Sequence, residues 1–420
     1  MGAESERHDS YAAFRIADYR RYLIGWFVAM IGTQIQGVAI AWEMYQITGE
    51  ALALGFVGLA QAAPTMVLAL PAGYLADRYS RKLILIVSLT GMTATSMALA
   101  FVSYTSGSVG LIYALLVLDA TFVTLGRPAK SAILPQLVPR DVFPNAVAWN
   151  LNMMKLSWMA GPAIGGLVIL WSVPLAFCLA AVGSTLCALL TASMSFSRRG
   201  SAGSEPPVRA LVGGLKFIRD NRLVLSLMSI DMFAVLLGGA VYLLPIYAED
   251  ILKVGPQGFG WLRAAPAVGA FCMSLLIAHL PPMQRAGRNL LLAIAAFGVV
   301  TIVFGVSTNF WLSFAMLFLT GLFDSVSMVV RHTLIQLTTP DEMRGRVSAV
   351  SGVFISASNE LGGLESGVVA HWFGPVVSVV SGGLGTIGVV VAMAVASPTL
   401  RNQGSLTEPD GSAEREGPES

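Results

Sequence analysis

Twelve apolar segments, each long enough to cross a lipid bilayer as a helix, run through the 420-residue chain. A spanning helix needs roughly 20 mostly apolar residues. Only 12% of the residues are charged, roughly half of what soluble domains carry. The sequence therefore predicts an all-α membrane protein with twelve transmembrane helices. The predicted spans are 22–44, 52–76, 83–103, 109–127, 144–170, 173–195, 223–247, 258–280, 289–307, 310–330, 347–371 and 375–397.

The basic residues predict how these spans are oriented. If the N-terminus lies in the cytoplasm, 23 of the 26 Lys and Arg residues fall on the cytoplasmic side. Lys253 falls in an outer loop, and Lys155 and Arg263 fall within spans. Because short cytoplasmic loops of membrane proteins are enriched in Lys and Arg, we expect both termini in the cytoplasm.

The longest polar break divides the spans into two sets of six. We expect an N-terminal half at 1–195, a cytoplasmic linker at 196–222, a C-terminal half at 223–397 and a disordered tail at 398–420. Within the linker, 208–222 has the pattern of a basic amphipathic helix, which predicts a place on the inner membrane surface. Leu134-Pro-Gln-Leu is echoed by Leu334-Ile-Gln-Leu, and weak similarity between two halves is typical of secondary transporters.

The loop after the second span carries the strongest local motif, Gly73-Tyr-Leu-Ala-Asp-Arg-Tyr-Ser-Arg-Lys. It resembles the signature G-x-L-a-D-r-x-G-r-k of the major facilitator superfamily, with Ser80 in place of the second glycine. Gly73 is expected to allow close helix approach, and Asp77 to pair with a cation. The alternative is that the basic residues only set the topology. The resemblance implies a conformational switch formed by Gly73, Asp77, Arg78, Arg81 and Arg127.

Span 5 contains a second motif, Gly161-Pro-Ala-Ile-Gly-Gly166. It resembles the G-P-x-x-G-G element of the superfamily's antiporters. Small residues allow two helices to touch, and a proline weakens a helix so that it can bend. Close packing without antiport is the alternative. The residues concerned are Gly161, Pro162, Gly165 and Gly166.

Further stretches extend the resemblance over nearly the whole chain. Gly126-Arg-Pro-Ala, Met343-Arg-Gly-Arg-Val-Ser-Ala-Val and Ser358-Asn-Glu-Leu-Gly are similar to the enterobactin-exporter-like branch, the transmembrane secretion effectors. The resemblance implies rocker-switch alternating access and export of drug-, siderophore- or metabolite-like molecules by proton antiport, in the bacterial inner membrane. Proton-linked uptake and a non-transporting membrane sensor or scaffold are the alternatives.

Among the acids inside predicted spans, where an ionisable group is costly and is therefore a functional candidate, four are candidates for proton coupling. A buried carboxylate that loads and releases a proton would couple transport to proton flow. The alternative for each acid is a structural ion pair, with Lys155, Arg127 or Arg331 as partner. The proton-coupling candidates are Glu360, Asp324, Asp119 and Asp231.

Other polar residues within the spans are candidates for lining a substrate cavity. An amide or a cation inside a span needs a polar partner or a water-filled space. These candidates are Gln34, Gln36, Asn152, Lys155, Arg331 and Asn359.

The same sequence argues against an enzyme. It has no G-x-x-x-x-G-K-[ST] loop for a nucleotide, and its four histidines and three cysteines are scattered. We therefore expect no cofactor and no metal site. The expected partners are a small-molecule substrate, protons and the lipid bilayer, without nucleic acid, and the chain is expected to act as a monomer.

Overall fold

The computed structural model describes residue 9 and residues 11–195, 207–281, 283–401, 403 and 404. Regular secondary structure in this part of the chain is helical. Residues 196–206 of the predicted linker, and residues 405–420 of the predicted disordered tail, lie outside the described residues.

Most helices are long, because a chain in lipid must satisfy its backbone hydrogen bonds internally. They are α1 Ala17–Thr48, α2 Ala51–Arg78, α3 Arg81–Tyr104, α4 Val109–Leu137, α5 Phe143–Ile169, α6 Val173–Ala192, α7 Pro207–Asp220, α8 Arg222–Leu237, α9 Leu244–Ile246, α10 Gly255–His279, α11 Ala286–Val306, α12 Phe310–Thr338, α13 Asp341–Phe373, α14 Pro375–Ala396 and α15 Pro398–Arg401.

Ten helical stretches of the described chain are long and apolar enough to cross a membrane, with Arg222–Ile251 taken as one interrupted run. Helices α5 and α13 are long enough but are not among them. These two carry polar residues within their predicted spans, Lys155 in α5 and Glu360 and Glu365 in α13. Such residues need cover from protein rather than lipid. The count of twelve spans stays a prediction.

Helices α4 and α12 continue past the predicted span ends at 127 and 330. The first runs through Pro128 and Pro135 to Leu137, and the second runs to Thr338. Arg127, at the end of the predicted span 109–127, and Arg331, just after the predicted span 310–330, therefore lie inside helices. Pro128 breaks the backbone hydrogen-bond ladder within α4. Long membrane helices tolerate this, since neighbouring groups satisfy the freed carbonyls.

The predicted span 223–247 is interrupted. Helix α8 ends at Leu237, and the chain continues through a 3₁₀ turn at Gly239–Leu243, then α9, then a π-helical turn at Tyr247–Ile251. A Cβ at Gly239 would lie 2.6 Å from the carbonyl oxygen of Gly362, so the break packs closely against α13. At membrane depth, such irregular backbone is tolerated only where it is covered by protein or lines a cavity.

The chain divides into two compact units, Met1–Ala39 with Val67–Ser204, and Ile40–Met66 with Glu205–Ser420. In the second unit, segment 40–66 packs against α10 and α13. Trp42 stacks on Phe259 with ring centroids 5.8 Å apart, and a Cβ at Gly367 would lie 2.9 Å from the Cα of Gly55. The sequence analysis placed 40–66 in the N-terminal half. The division into halves at 1–195 and 223–397 stays a prediction.

Helix α7 is the helix expected within the linker. It lies against the first turns of α13, where a Cβ at Gly214 would come 2.8 Å from the carbonyl oxygen of Arg346. Ile218 is buried, whereas Val212 and Leu215 are exposed. The place of α7 on the membrane surface stays a prediction.

Helices α10 and α12 approach closely at two glycines. Gly269 of α10 lies against the carbonyl group of Phe318, and Gly321 of α12 lies against the backbone of Pro266. Small residues at such contacts let helix backbones touch, which is how membrane helices gain packing energy in the absence of water.

Adding one carbon at this contact should destabilise the fold. We expect Gly269→Ala to lower the free energy of unfolding by about 2 kcal/mol, because the new methyl group meets backbone that cannot move aside. Thermal unfolding of the purified protein in detergent measures the change. Gly352→Ala is the control, since no atom lies within 4 Å of its Cβ position. Equal unfolding temperatures for the two variants would contradict close packing at Gly269.

Candidate functional site

In the first unit, Asp119 is the centre of a buried hydrogen-bond cluster. Its carboxylate accepts hydrogen bonds from Thr95 at 2.6 Å and from the amide nitrogen of Gln36 at 3.3 Å. The amide oxygen of Gln36 accepts one from Ser96 at 2.6 Å. The structure thus brings together two predicted residues, Asp119 and Gln36. In the part of the chain that the structure describes, Asp119 makes no ion pair.

Thr95 and Ser96 were not predicted as site residues from the sequence. Two adjacent hydroxyl residues inside an apolar span are a weak signal, because Ser and Thr also bond to the preceding turn of their own helix. Only the packing of α1, α3 and α4 identifies Asp119 as the partner of Thr95 and Gln36 as the partner of Ser96.

The glycines of the Gly-Pro-Ala-Ile-Gly-Gly motif pack on α1 next to this cluster. A Cβ at Gly161 would lie 2.5 Å from the Cβ of Gln34, and one at Gly165 would lie 3.2 Å from the Cα of Ile35. Pro162 and Gly166 are buried in the same helix, which continues through the proline. The motif therefore holds α5 against the part of α1 that carries Gln36.

The second unit contains a buried ion pair. Arg331 of α12 contacts Asp231 of α8 at 2.5 Å, and both side chains are 8% exposed. Arg331 also donates a hydrogen bond to Ser327 at 3.3 Å. For Asp231, the structure thus has the ion pair that the sequence analysis held open as an alternative.

Glu360 of α13 lies beside the interrupted helix. Its carboxylate accepts a hydrogen bond from the hydroxyl of Tyr242 at 3.1 Å, and a Cβ at Gly58 would lie 3.3 Å from the same oxygen. Arg263 of α10 is within electrostatic reach of both Glu360 and Tyr242. Tyr242 was missed by the sequence analysis, although the Gly238-Gly239 pair inside an apolar run signals a backbone irregularity.

Asp324 of α12 is the exception among the predicted acids. In the described part of the chain it makes neither a hydrogen bond nor an ion pair. It lies in the wall of a cavity of about 200 Å³ and in that of a smaller one of about 30 Å³, shared with Asp231.

The larger cavity is bounded by the interrupted helix and by α10, α11, α12 and α13. Asn359, a predicted cavity-lining residue, is among its walls. Most other lining residues are apolar or aromatic. The lining residues are Val235, Gly238, Gly239, Ala240, Val241, Tyr242, Pro266, Phe297, Thr301, Phe304, Leu317, Thr320, Gly321, Asp324 and Asn359.

Residues of the predicted switch loop form hydrogen bonds with α4 and with the segment after α6 in the first unit. Arg81 donates a hydrogen bond to the carbonyl oxygen of Ala132 at 3.3 Å, and Lys82 donates one to that of Met194 at 2.7 Å. The expected close helix approach at Gly73 is wrong in this structure, since nothing lies within 4 Å of its Cβ position. Asp77 is partly buried near the end of α2.

Two arginines of the predicted switch set are exposed, Arg78 and Arg127. The hydroxyl of Tyr74, 2.6 Å from the Arg78 guanidinium, raises the pKa of that group above its ordinary value. Of the other cavity candidates, Asn152 is exposed and Lys155 is partly buried.

Solved transporters share this fold. A mutant of the peptide transporter POT superposes with a TM-score of 0.73 at 13% identity, covering 91% of this chain and 94% of that one. The nucleoside transporter NupG has a TM-score of 0.71 at 12% identity, with 91% and 99% covered. A bacterial homologue of the human lysosomal transporter Spinster, inward-facing and unoccupied, has a TM-score of 0.68 at 14% identity, with 93% and 96% covered. The chain therefore has the fold of these solved transporters.

The transmembrane secretion effector family matches residues 8–409, and the chain belongs to this family of the major facilitator superfamily. The enterobactin exporter EntS of Escherichia coli K12 is 24% identical over 391 residues, covering 91% of this chain and 92% of the exporter. EntS of Shigella dysenteriae serotype 1 is 24% identical over 387 residues with the same coverage. The chain is thus a multi-pass membrane transporter of a small molecule and not an enzyme, as its sequence predicts.

Breaking the ion pair of Asp231 and Arg331 should destabilise the protein. We expect Arg331→Gln to lower the free energy of unfolding by about 3 kcal/mol, because it leaves Asp231 buried without its counter-ion. The double variant Asp231→Asn with Arg331→Gln should recover most of this loss. Unfolding in detergent provides the measurement.

Arg344→Gln is the matched control for this prediction. Arg344 pairs with Asp341 at 2.6 Å, but the two side chains are 50% and 83% exposed. Exposed pairs contribute about 0–1 kcal/mol. If Arg331→Gln and Arg344→Gln had the same free energy of unfolding, the buried ion pair would contribute no more to stability than the exposed one.

Proposed function

We propose that this chain exports small molecules across the bacterial inner membrane by proton antiport. In this proposal it has twelve spans with both termini in the cytoplasm, acts as a monomer without nucleic acid, and alternates its access by a rocker-switch movement. The observation that carries the proposal is Asp324, a partly buried carboxylate without a hydrogen bond or ion pair in the described chain. It lies beside a cavity at an interrupted membrane helix.

Physical chemistry supports a proton at such a position. A charged carboxylate inside a membrane protein is costly unless it is paired or solvated, and the acid avoids this cost by taking up a proton. When the site opens to water, solvation stabilises the charged carboxylate, and the proton leaves. A transporter that exposes Asp324 to one side and then the other can therefore carry a proton across.

Asp119 and Glu360 are further coupling candidates with different surroundings. Asp119 accepts hydrogen bonds from neutral Thr95 and Gln36, which stabilise its charged form. Glu360 is bonded to Tyr242 and lies near Arg263. Asp231, already paired with Arg331, fits a structural role better than a proton carrier.

The direction and the first substrate to test come from the relatives. The similar proteins of Escherichia coli and Shigella are enterobactin exporters, so enterobactin is the first compound to examine. Their identity to this chain is only 24%, and a panel of drug-like and metabolite-like compounds belongs beside it.

Everted membrane vesicles containing the full chain test the proposal. With an acidic lumen, we expect the vesicles to accumulate a compound of the panel and to release lumenal protons as they do so. A protonophore should abolish the accumulation. If an imposed gradient drove a preloaded compound out of the vesicles instead, the chain would be an uptake system and the export proposal would fail.

Amide variants identify the proton carrier within the same assay. We expect Asp324→Asn to lower proton-driven accumulation by about tenfold or more. Removing a side chain that transfers a proton lowers reaction rates by this factor or by a larger one. Asp119→Asn and Glu360→Gln are tested beside it. Asp341→Asn is the control, because this acid is exposed at the start of α13. Any amide variant with unchanged coupling removes that acid from the mechanism.

A further inference from the structure

The ionisable groups next to the two cavities of the second unit do not balance in charge. Three acids of the second unit lie in this region, Asp231, Asp324 and Glu360, and two arginines, Arg331 and Arg263, accompany them. Arg331 contacts Asp231 at 2.5 Å, and Arg263 is within electrostatic reach of Glu360. His332 lies next to Arg331. With these acids and arginines ionised and His332 neutral, the five charged groups carry one net negative charge. Arg331 contacts Asp231 and is also within electrostatic reach of Asp324, so Asp324 is the acid of the three without a direct contact to an arginine or a hydrogen-bond donor in the described chain.

The cavity beside Asp324 is large enough for an organic molecule. Its volume is about 200 Å³, whereas an apolar cavity of about 150 Å³ is enough to bind benzene. The space therefore accommodates one aromatic ring with a small substituent.

The polar groups of the cavity wall select for the charge of its ligand. Their hydrogens are already donated to protein acceptors: the Tyr242 hydroxyl to Glu360, Thr301 to the carbonyl of Phe297, and Thr320 to that of Leu317. An N–H of Asn359 is likewise donated, to the carbonyl of Ile355. Because the wall offers acceptors far more than donors, it favours a ligand that brings its own hydrogens or a positive charge.

Two further features of the wall favour a cation. Phe297, Phe304 and Tyr242 supply aromatic rings, whose faces attract cations most strongly where water is excluded. The irregular backbone from Gly238 to Val241 also lines the cavity, and unwound backbone of broken membrane helices supplies carbonyl groups for cations in other transporters.

We infer that this cavity binds a monovalent organic ammonium ion with one aromatic ring, and that the Asp324 carboxylate is its counter-ion. The inference rests on the proposed antiport and names a substrate class for it. One leftover negative charge accepts one positive charge, so the ammonium ion and a proton exclude each other at Asp324. Release of the ammonium ion leaves the carboxylate free to take one proton from water, which gives a one-for-one exchange.

Binding of benzyltrimethylammonium to the purified full-length protein tests the inference. This ion has one ring and a fixed charge, so pH acts only on the protein. We expect saturable binding at alkaline pH that weakens at acid pH as protons occupy Asp324. Asp324→Asn should weaken binding by about tenfold or more, since a buried charge loses its partner, whereas Asp341→Asn should bind like the wild type.

Two further measurements keep the result interpretable. Phe297→Leu retains the acid and removes one ring, and we expect it to weaken binding by about threefold or more. If Asp324→Asn does not fold, binding of the probe to Phe297→Leu tests the inference in its place. Neopentylbenzene, the uncharged isostere of the probe, should not displace it. Displacement by this isostere, or binding that does not respond to pH, would show an apolar cavity without a cation site and overturn the inference.

The outcomes separate this inference from the proposed antiport. If the wild type does not bind the probe while Asp324→Asn still abolishes proton-driven accumulation, the cavity serves the proton alone, and only the inference is wrong. If the probe binds through Asp324 but no compound of the panel moves with the proton gradient, the cation site stands and the antiport is wrong.

Discussion

Hydrocarbon offers no hydrogen bonds, and the rest of this structure follows from that constraint. In long helices, the backbone satisfies its hydrogen bonds internally. The helices pack closely where glycine lets two backbones touch, as at Gly269 and Gly321. The same constraint governs the buried acids. Asp119 has hydroxyl and amide donors, Asp231 has Arg331, and Glu360 has Tyr242. A residue that departs from this rule is therefore informative, and Asp324 departs from it.

The interrupted helix explains how the structure accommodates the carboxylate of Asp324, which has no hydrogen bond or ion pair in the described part of the chain. Between Leu237 and Tyr247 the backbone leaves the regular α-helix, and the irregular segment opens a cavity rather than packing tightly against α12. A cavity with polar walls gives a carboxylate room for a ligand, a proton or water. Asp324 and the break thus line the same cavity.

Much of the fold and part of the site were predictable from the sequence, for identifiable reasons. The length of the apolar segments predicts helices. The free-energy cost of placing an ionisable side chain in lipid makes four acids functional candidates, Asp119, Asp231, Asp324 and Glu360. Partner choice was not predictable, because it depends on how each helix is rotated against its neighbours. The chain could not reveal that Arg331, on the same helix as Asp324, reaches across to Asp231 instead.

The two units treat their buried acids in opposite ways. In the first unit, neutral donors surround Asp119, and these can hold either a carboxylate or a carboxylic acid with small rearrangements of hydroxyl groups. In the second unit, arginines lie close to Asp231 and Glu360, two of the three acids next to the cavities, so the protonation state of Asp324 changes the net charge of its surroundings. A group whose charge state alters the balance of a low-dielectric region interacts strongly with whatever ion enters it. The proposed exchange of a proton for an ammonium ion therefore depends on Asp324 rather than on Asp119.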